Sequence, residues 1–286
     1  LSSSFGWIPE YAQWHPMNEE HCESCCIRDM ISCAWELIQA GHPEYWNDIN
    51  LFARNQLVEN QINSASYVVV DNSLPDGNGI TYHDLDKRII GGFTGGSLPN
   101  SISLSKFRSI AGCCVGIAPI ALKLVWDIAV TEEEGALCVN IPLDKETDAF
   151  RLSMDYPEHG RMAITLKKPG GAFFRLYPWM GRQVKLYLNG QAVEGQRRGE
   201  LLALSALQPG DTLALRHPLR TVTKKEHVAG QDYQVVWRGC DVIDLLPHGE
   251  HLRLYQRDLT KPIVLPTPED VPYTGAANYG PTQQKR

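Results

Sequence analysis

The chain has 286 residues, 43% hydrophobic and 21% charged, with a formal net charge of −6. That is the composition of a soluble globular protein able to bury a sizeable core. The negative balance speaks against an electrostatic nucleic-acid binder, and no run of about 18 apolar residues exists to span a membrane as a helix.

The chain opens on Leu1 rather than Met, with neither the basic nor the apolar region of a signal peptide. A fragment or a processed product is the expectation. From Ile27 the apolar positions Ile27, Met30, Ile31, Ala34, Leu37 and Ile38 form a 3.6-residue stripe, which predicts an amphipathic helix ended by Gly41 and Pro43. A second helix is predicted from Pro43 or Glu44 to about Asn60, with Trp46, Ile49, Ala53 and Leu57 on one face. Residues 64–105 are rich in Gly, Asp, Asn and Ser, and read as a long loop region with a short strand at Tyr67–Val70. A third helix is expected from about Ile117 to Val130, with Pro119 in its first turn.

After Thr131 the period changes to two. Strands are predicted at 137–141, 161–168, 182–188, 199–204, 212–216 and 233–238, with a hairpin at Asn189-Gly190 and a turn at Pro209-Gly210-Asp211. Short strands with regular turn signals suggest an all-β sandwich. The expected division is a helical portion over 1–130, a β-sandwich over 131–265 and an extended or disordered tail over 266–286.

Eight cysteines occur, too sparse for a disulfide scaffold in a chain of this length. Clustered thiols read as reduced groups or metal ligands, which favours a reducing compartment such as the cytoplasm. Glu23 and Cys25 fall at the start of the first helix, and Cys113 and Cys114 just before the third. Helix N-termini carry partial positive charge and lower thiol pKa values. A zinc ion would accept one Glu23 oxygen and three sulfurs in a tetrahedron. Spacing alone leaves three readings open: a reactive zinc thiolate, a structural zinc, or packed free cysteines.

Two segments carry a resemblance. Glu23-Ser24-Cys25 before an amphipathic helix resembles the Glu-Thr-Cys segment of glycoside hydrolase family 127, the β-L-arabinofuranosidases. Ala111-Gly112-Cys113-Cys114-Val115-Gly116 resembles that family's Cys-Cys-Pro-Pro-Asn segment, and Gly135-Ala136-Leu137-Cys138-Val139-Asn140 its Gly-Leu-Tyr-Val-Asn-like strand. The order and approximate spacing agree over roughly residues 2–140, and the Leu-Asn-Gly hairpin and Leu-Gln-Pro-Gly-Asp turn agree in layout. The resemblance implies a divergent C-terminal fragment: the end of an (α/α)6 barrel followed by a jelly-roll-like β-sandwich. It implies Zn2+ held by Glu23, Cys25, Cys113 and Cys114, and retaining hydrolysis of a plant or algal glycan with Cys113 as nucleophile. A carbohydrate substrate is the implied partner, with neither nucleic acid nor membrane; a homodimer is compatible with it.

The sequence departs from that pattern in three places. Val115-Gly116-Ile117 stands where the family has Pro-Pro-Asn, and Trp7 where it has its general acid. Glu10, three residues on, is the candidate acid, ahead of Glu19 and Glu20. Cys22 and Cys26 add thiols that could replace an assumed ligand. A non-catalytic carbohydrate-binding or structural zinc protein is the alternative reading, and a thiol redox protein a third. Trp7, Tyr11 and Trp14 are either sugar platforms or core; His15 and His21 are ordinary histidines or ligands.

Overall fold

The computed structural model describes residues 2–11, 21–65, 68–75, 80–81, 83–102, 110, 112–133, 135–249, 253–255, 278–279 and 283–284. Trp14, His15, Glu19, Glu20, the loop 76–79 and most of the tail after 255 lie outside them.

The first helix, α1, spans Ser24–Gln39 and buries Ser24, Ile27, Ile31 and Ala34, the stripe its apolar spacing demands. It stops at Gly41, whose φ of +96° suits a residue without Cβ; its N–H donates back to the Ile38 carbonyl at 3.0 Å. The second helical region is not continuous. A 3-10 turn at Pro43–Tyr45 leads into α2, Trp46–Phe52, which passes into a π turn at Ala53–Leu57. Trp46, Ile49, Ala53 and Leu57 are buried as expected.

The loop region holds β1 (Val68–Val69), β2 (Ile80–Thr81) and the short helix α3 (Leu85–Arg88). The third long helix, α4, spans Gly112–Ile128. It starts five residues earlier than the sequence suggests, because Pro119 sits inside it rather than in its first turn. Proline removes one backbone donor, here the partner of the Val115 carbonyl, and the turns on either side carry the helix across the gap. α4 buries Cys114, Ala118, Ala121, Val125 and Ile128 and packs on α1. Its flanks stay apolar: Val115, Ile120 and Trp126 are exposed.

The continuous series of strands begins at Val130, where the residue period changes. In chain order they are β3 (Val130–Glu133), β4 (Ala136–Val139), β5 (Lys145–Glu146), β6 (Phe150–Met154), β7 (Arg161–Leu166), β8 (Gly170–Arg175), β9 (Lys185–Leu188), β10 (Gln191–Val193), β11 (Gln196–Arg198), β12 (Leu201–Leu207), β13 (Thr212–Arg216), β14 (Thr221–Val228), β15 (Gln231–Arg238) and β16 (Asp241–Leu246). Six form one sheet in the order β10-β9-β13-β7-β6-β5, and five form another in the order β11-β12-β8-β4-β3. All pairs in both are antiparallel except β4 with β8. Leu152, Ile164 and Leu213 from the first sheet and Ala172, Phe174 and Leu207 from the second enter the same apolar cluster as α1, α2 and α4. β14, β15 and β16 make a separate three-stranded antiparallel meander. Asn189 and Gly190, both with positive φ, turn the β9–β10 hairpin as their sequence predicts. Two short tail strands, β17 (Asn278–Tyr279) and β18 (Gln283–Gln284), return to pair with β2 and β1.

Among the described residues no helix is long and apolar enough to cross a membrane.

Candidate metal centre

Packing α1 against α4 brings their N-termini together. Glu23 is the residue that precedes α1, in an extended conformation (φ −91°, ψ 146°), and its carbonyl accepts the Cys26 and Ile27 N–H groups. Cys25 lies in the first turn of α1. Cys113 and Cys114 lie in the first turn of α4, not before it. One ligand atom from each of Glu23, Cys25, Cys113 and Cys114 lies within 4.8 Å of all the others. Cys25 Sγ is 3.4 Å from Cys114 Sγ, which is 3.9 Å from Cys113 Sγ. Two sulfurs bonded to one tetrahedral zinc sit about 3.8 Å apart, given bonds near 2.3 Å. The donor set and its spacing therefore fit a zinc ion, and both helix ends offer partial positive charge to thiolates.

The four residues differ in surroundings. Cys114 is fully buried, Cys25 and Glu23 are half-buried, and Cys113 is exposed. Burial raises the Cys25 thiol to about 11, with Cys113 and the Glu23 charge adding to the rise and the Cys114 contact opposing it. Burial likewise pushes Cys114 far above its ordinary range. Bringing such thiols into the ionised state requires a strong positive charge, which a bound cation provides.

The extra cysteines stand apart from the group. Cys22 is fully buried; its backbone exchanges hydrogen bonds with Ser97, and burial drives its thiol upward. Cys26 is half-buried; desolvation raises it to about 11, a backbone hydrogen bond at Glu23 opposes the rise, and the charges of Glu23 and Glu10 add to it. The charge of Glu10 reaches Cys26, and Glu10 is not one of the four clustered residues. Its backbone N–H is anchored on the His21 carbonyl at 2.7 Å. Trp7 is a core residue, 1% exposed, its indole N–H donating to the Ser97 carbonyl at 3.0 Å. Tyr11 is exposed and His21 buried.

Sequence reasoning missed the polar scaffold behind the cluster. Ser24 Oγ donates to the Thr94 carbonyl at 2.8 Å and accepts from Asn60 Nδ2 at 3.3 Å. Gln56 Nε2 bonds Asn60 Oδ1 and Ser97 Oγ, while the Tyr255 hydroxyl donates to Gln56 Oε1 at 2.7 Å. The Gly91–Gly96 loop thereby braces the start of α1 through Thr94. The signal for this scaffold was the pair Gln56 and Asn60, four apart on the inner side of a helix.

No protein-family model matches the sequence, and no curated protein matches it. Solved structures do. A glycoside hydrolase superposes with a TM-score of 0.54 at 16% identity, over 84% of this chain and 44% of its own. A family 127 β-L-arabinofuranosidase from Geobacillus stearothermophilus T6 gives 0.53 at 16% identity, over 84% and 40%. A further family 127 β-arabinofuranosidase gives 0.57 at 14% identity, over 84% and 41%. The chain spans less than half the length of each. Helices that converge on a thiol cluster, followed by the two large sheets, therefore carry the fold of part of the family 127 glycoside hydrolases.

Proposed function

We propose that this chain is part of a divergent retaining glycoside hydrolase. Its helices would be the end of an (α/α)6 barrel and its two large sheets a jelly-roll-like sandwich. The observation that carries this reading is the convergence of Glu23, Cys25, Cys113 and Cys114 from segments 89 residues apart. The fold shared with family 127 enzymes supports it. Zinc bound by the four residues supplies the positive charge that keeps their sulfurs as thiolates near neutral pH.

Cys113 is the exposed sulfur of the group and the one open to a sugar. Its thiolate attacks the anomeric carbon, forming a C–S bond as the glycosidic C–O bond breaks. Glu10 gives its proton to the departing oxygen. Water then attacks the same carbon from the opened side, Glu10 takes a proton from it, and the C–S electron pair returns to Cys113. Two displacements at one carbon retain its configuration. A β-L-arabinofuranoside of a plant or algal glycan is the substrate class that the family likeness favours.

A structural zinc that clamps α1 to α4 is the second reading. The burial of the group favours it, since Cys114 is buried and Glu23 and Cys25 are partly buried. Cys113→Ser separates the two when zinc content, thermal unfolding and hydrolysis of p-nitrophenyl β-L-arabinofuranoside are measured together. The hydrolase reading expects turnover to fall about 1,000-fold or more, with metal and fold kept. Loss of metal and stability, with no wild-type turnover to lose, would leave the clamp.

A further inference from the structure

Gln56 lies in the π turn that follows α2, an irregularity that recurs at functional sites. Its neighbour Asn55 serves the meander, through the Cys240 carbonyl and the Val242 N–H. Gln56 serves the start of α1 instead. Its Nε2 has two hydrogens, one donated to Asn60 Oδ1 at 3.0 Å and one to Ser97 Oγ at 3.1 Å. Asn60 Nδ2 donates onward to Ser24 Oγ at 3.3 Å, and Ser97 Oγ donates to the Cys22 carbonyl at 3.2 Å. Cys22 and Ser24 stand on either side of Glu23. One amide therefore holds both neighbours of a metal-site carboxylate, through two separate arms.

The bonds run in one direction. The Tyr255 hydroxyl donates to Gln56 Oε1 at 2.7 Å, which turns the amide so that its nitrogen faces both arms. Ser24, Gln56, Asn60, Ser97 and Tyr255 are all closed off from solvent, where hydrogen bonds hold their geometry best. Tyr255 has a left-handed backbone, with φ of +59°, an uncommon conformation for a bulky residue and a costly one. Its N–H donates to Glu59 Oε2 at 2.8 Å, one turn of helix on from Gln56. The chain thus accepts backbone strain at the residue whose hydroxyl orients Gln56.

We propose that Gln56 is a positioning residue of the metal centre. It bonds none of the four ligands, yet it sets where Glu23 and Cys25 stand before a cation arrives. The inference rests on the metal-centre reading, and it holds whether that metal serves hydrolysis or clamps α1 to α4. Ligands fixed in advance lose less freedom when the cation binds, so the clamp is expressed as metal affinity.

Zinc affinity of the full chain, measured by competition with a chromophoric chelator, tests the proposal. The visible spectrum of the cobalt(II)-loaded chain and thermal unfolding of the metal-free chain are recorded beside it. Gln56→Met keeps the length of the side chain and removes its donors. Zinc affinity should fall about tenfold or more, and the cobalt d–d bands should shift at saturating metal. Tyr255→Phe removes only the hydroxyl that orients the amide and should weaken zinc about threefold; it decides the matter if Gln56→Met does not fold. Asn55→Ala disturbs the same turn on its meander side. It should lower the unfolding temperature and leave zinc affinity and the cobalt spectrum as in the wild type. Unchanged affinity in both Gln56→Met and Tyr255→Phe, or an equal loss in Asn55→Ala, would overturn the proposal and leave the metal centre standing. A wild-type chain that takes up no zinc would overturn the metal centre, and the proposal with it.

Discussion

Cys113 and Cys114 are neighbours in sequence, yet one faces solvent and the other is sealed in the core. A helix turns each successive side chain by about 100°, so adjacent positions near one end meet different surroundings. The same rule separates Cys25 from Cys26. The grouping of Glu23, Cys25, Cys113 and Cys114 was expected from the family resemblance, because spacing alone left packed free cysteines open as well. The exclusion of Cys22 was not, since it depends on the bridge between Cys22 and Ser97, far apart along the chain. His217 shows another such dependence. Its Nε2 meets the Tyr156 hydroxyl at 2.5 Å, and burial lowers its pKa while the Pro218 carbonyl opposes the change. The folded state therefore favours the neutral ring, and on acidification the unfolded chain binds a proton first. Its contribution to stability is complete above the unfolded value near 6.5 and is lost as pH falls through the lower folded value. Urea midpoints should drop as pH falls below about 6.5, and His217→Gln should flatten that slope. An unchanged slope in the variant would clear His217 of this role.

At the scale of elements, the π turn after α2 joins the helices to the meander. Arg54 donates to both Asp241 oxygens at 2.9 and 3.0 Å and to the Pro142 carbonyl at 2.7 Å. Asn55 next to it bonds the Cys240 carbonyl and accepts the Val242 N–H. Widening the helix by one residue in this turn lets consecutive side chains reach a common neighbour. The Asp241 side chain is 2% exposed, so Arg54→Ala strips a buried carboxylate of its guanidinium. Stability should fall by about 3–5 kcal/mol in denaturant unfolding; a loss below about 1 kcal/mol would show that the pair acts as a surface one. The apolar stripes made α1 and the inner face of α2 readable. The break into 3-10, α and π turns was hidden, because it answers to partners nearly 190 residues away. The start of α4 was misread for a local reason, since proline signals a first turn more often than it marks a tolerated interior site.

Across the whole molecule, one apolar cluster includes Ile31 of α1, Ile49 of α2, Val125 of α4, Phe174 and Leu213 of the large sheets, and Val242 of the meander. Helices and sheets share this interior, so they should unfold together. Far-ultraviolet circular dichroism and tryptophan fluorescence should trace coincident transitions, and separated midpoints would show two independent units. The switch from helical to strand period at about residue 130 was plain in the sequence. The division of the strands between two large sheets and a meander was not, because pairing such as β4 with β8 is non-local and leaves no short-range mark. α4 has one more effect on the molecule as a whole. Val115 and Trp126 stand bare on one flank of it and Ile120 on the other. Salts that are excluded from protein surfaces penalise such oily area most, so ammonium sulfate should drive this chain out of solution early and hold it tightly on a phenyl resin.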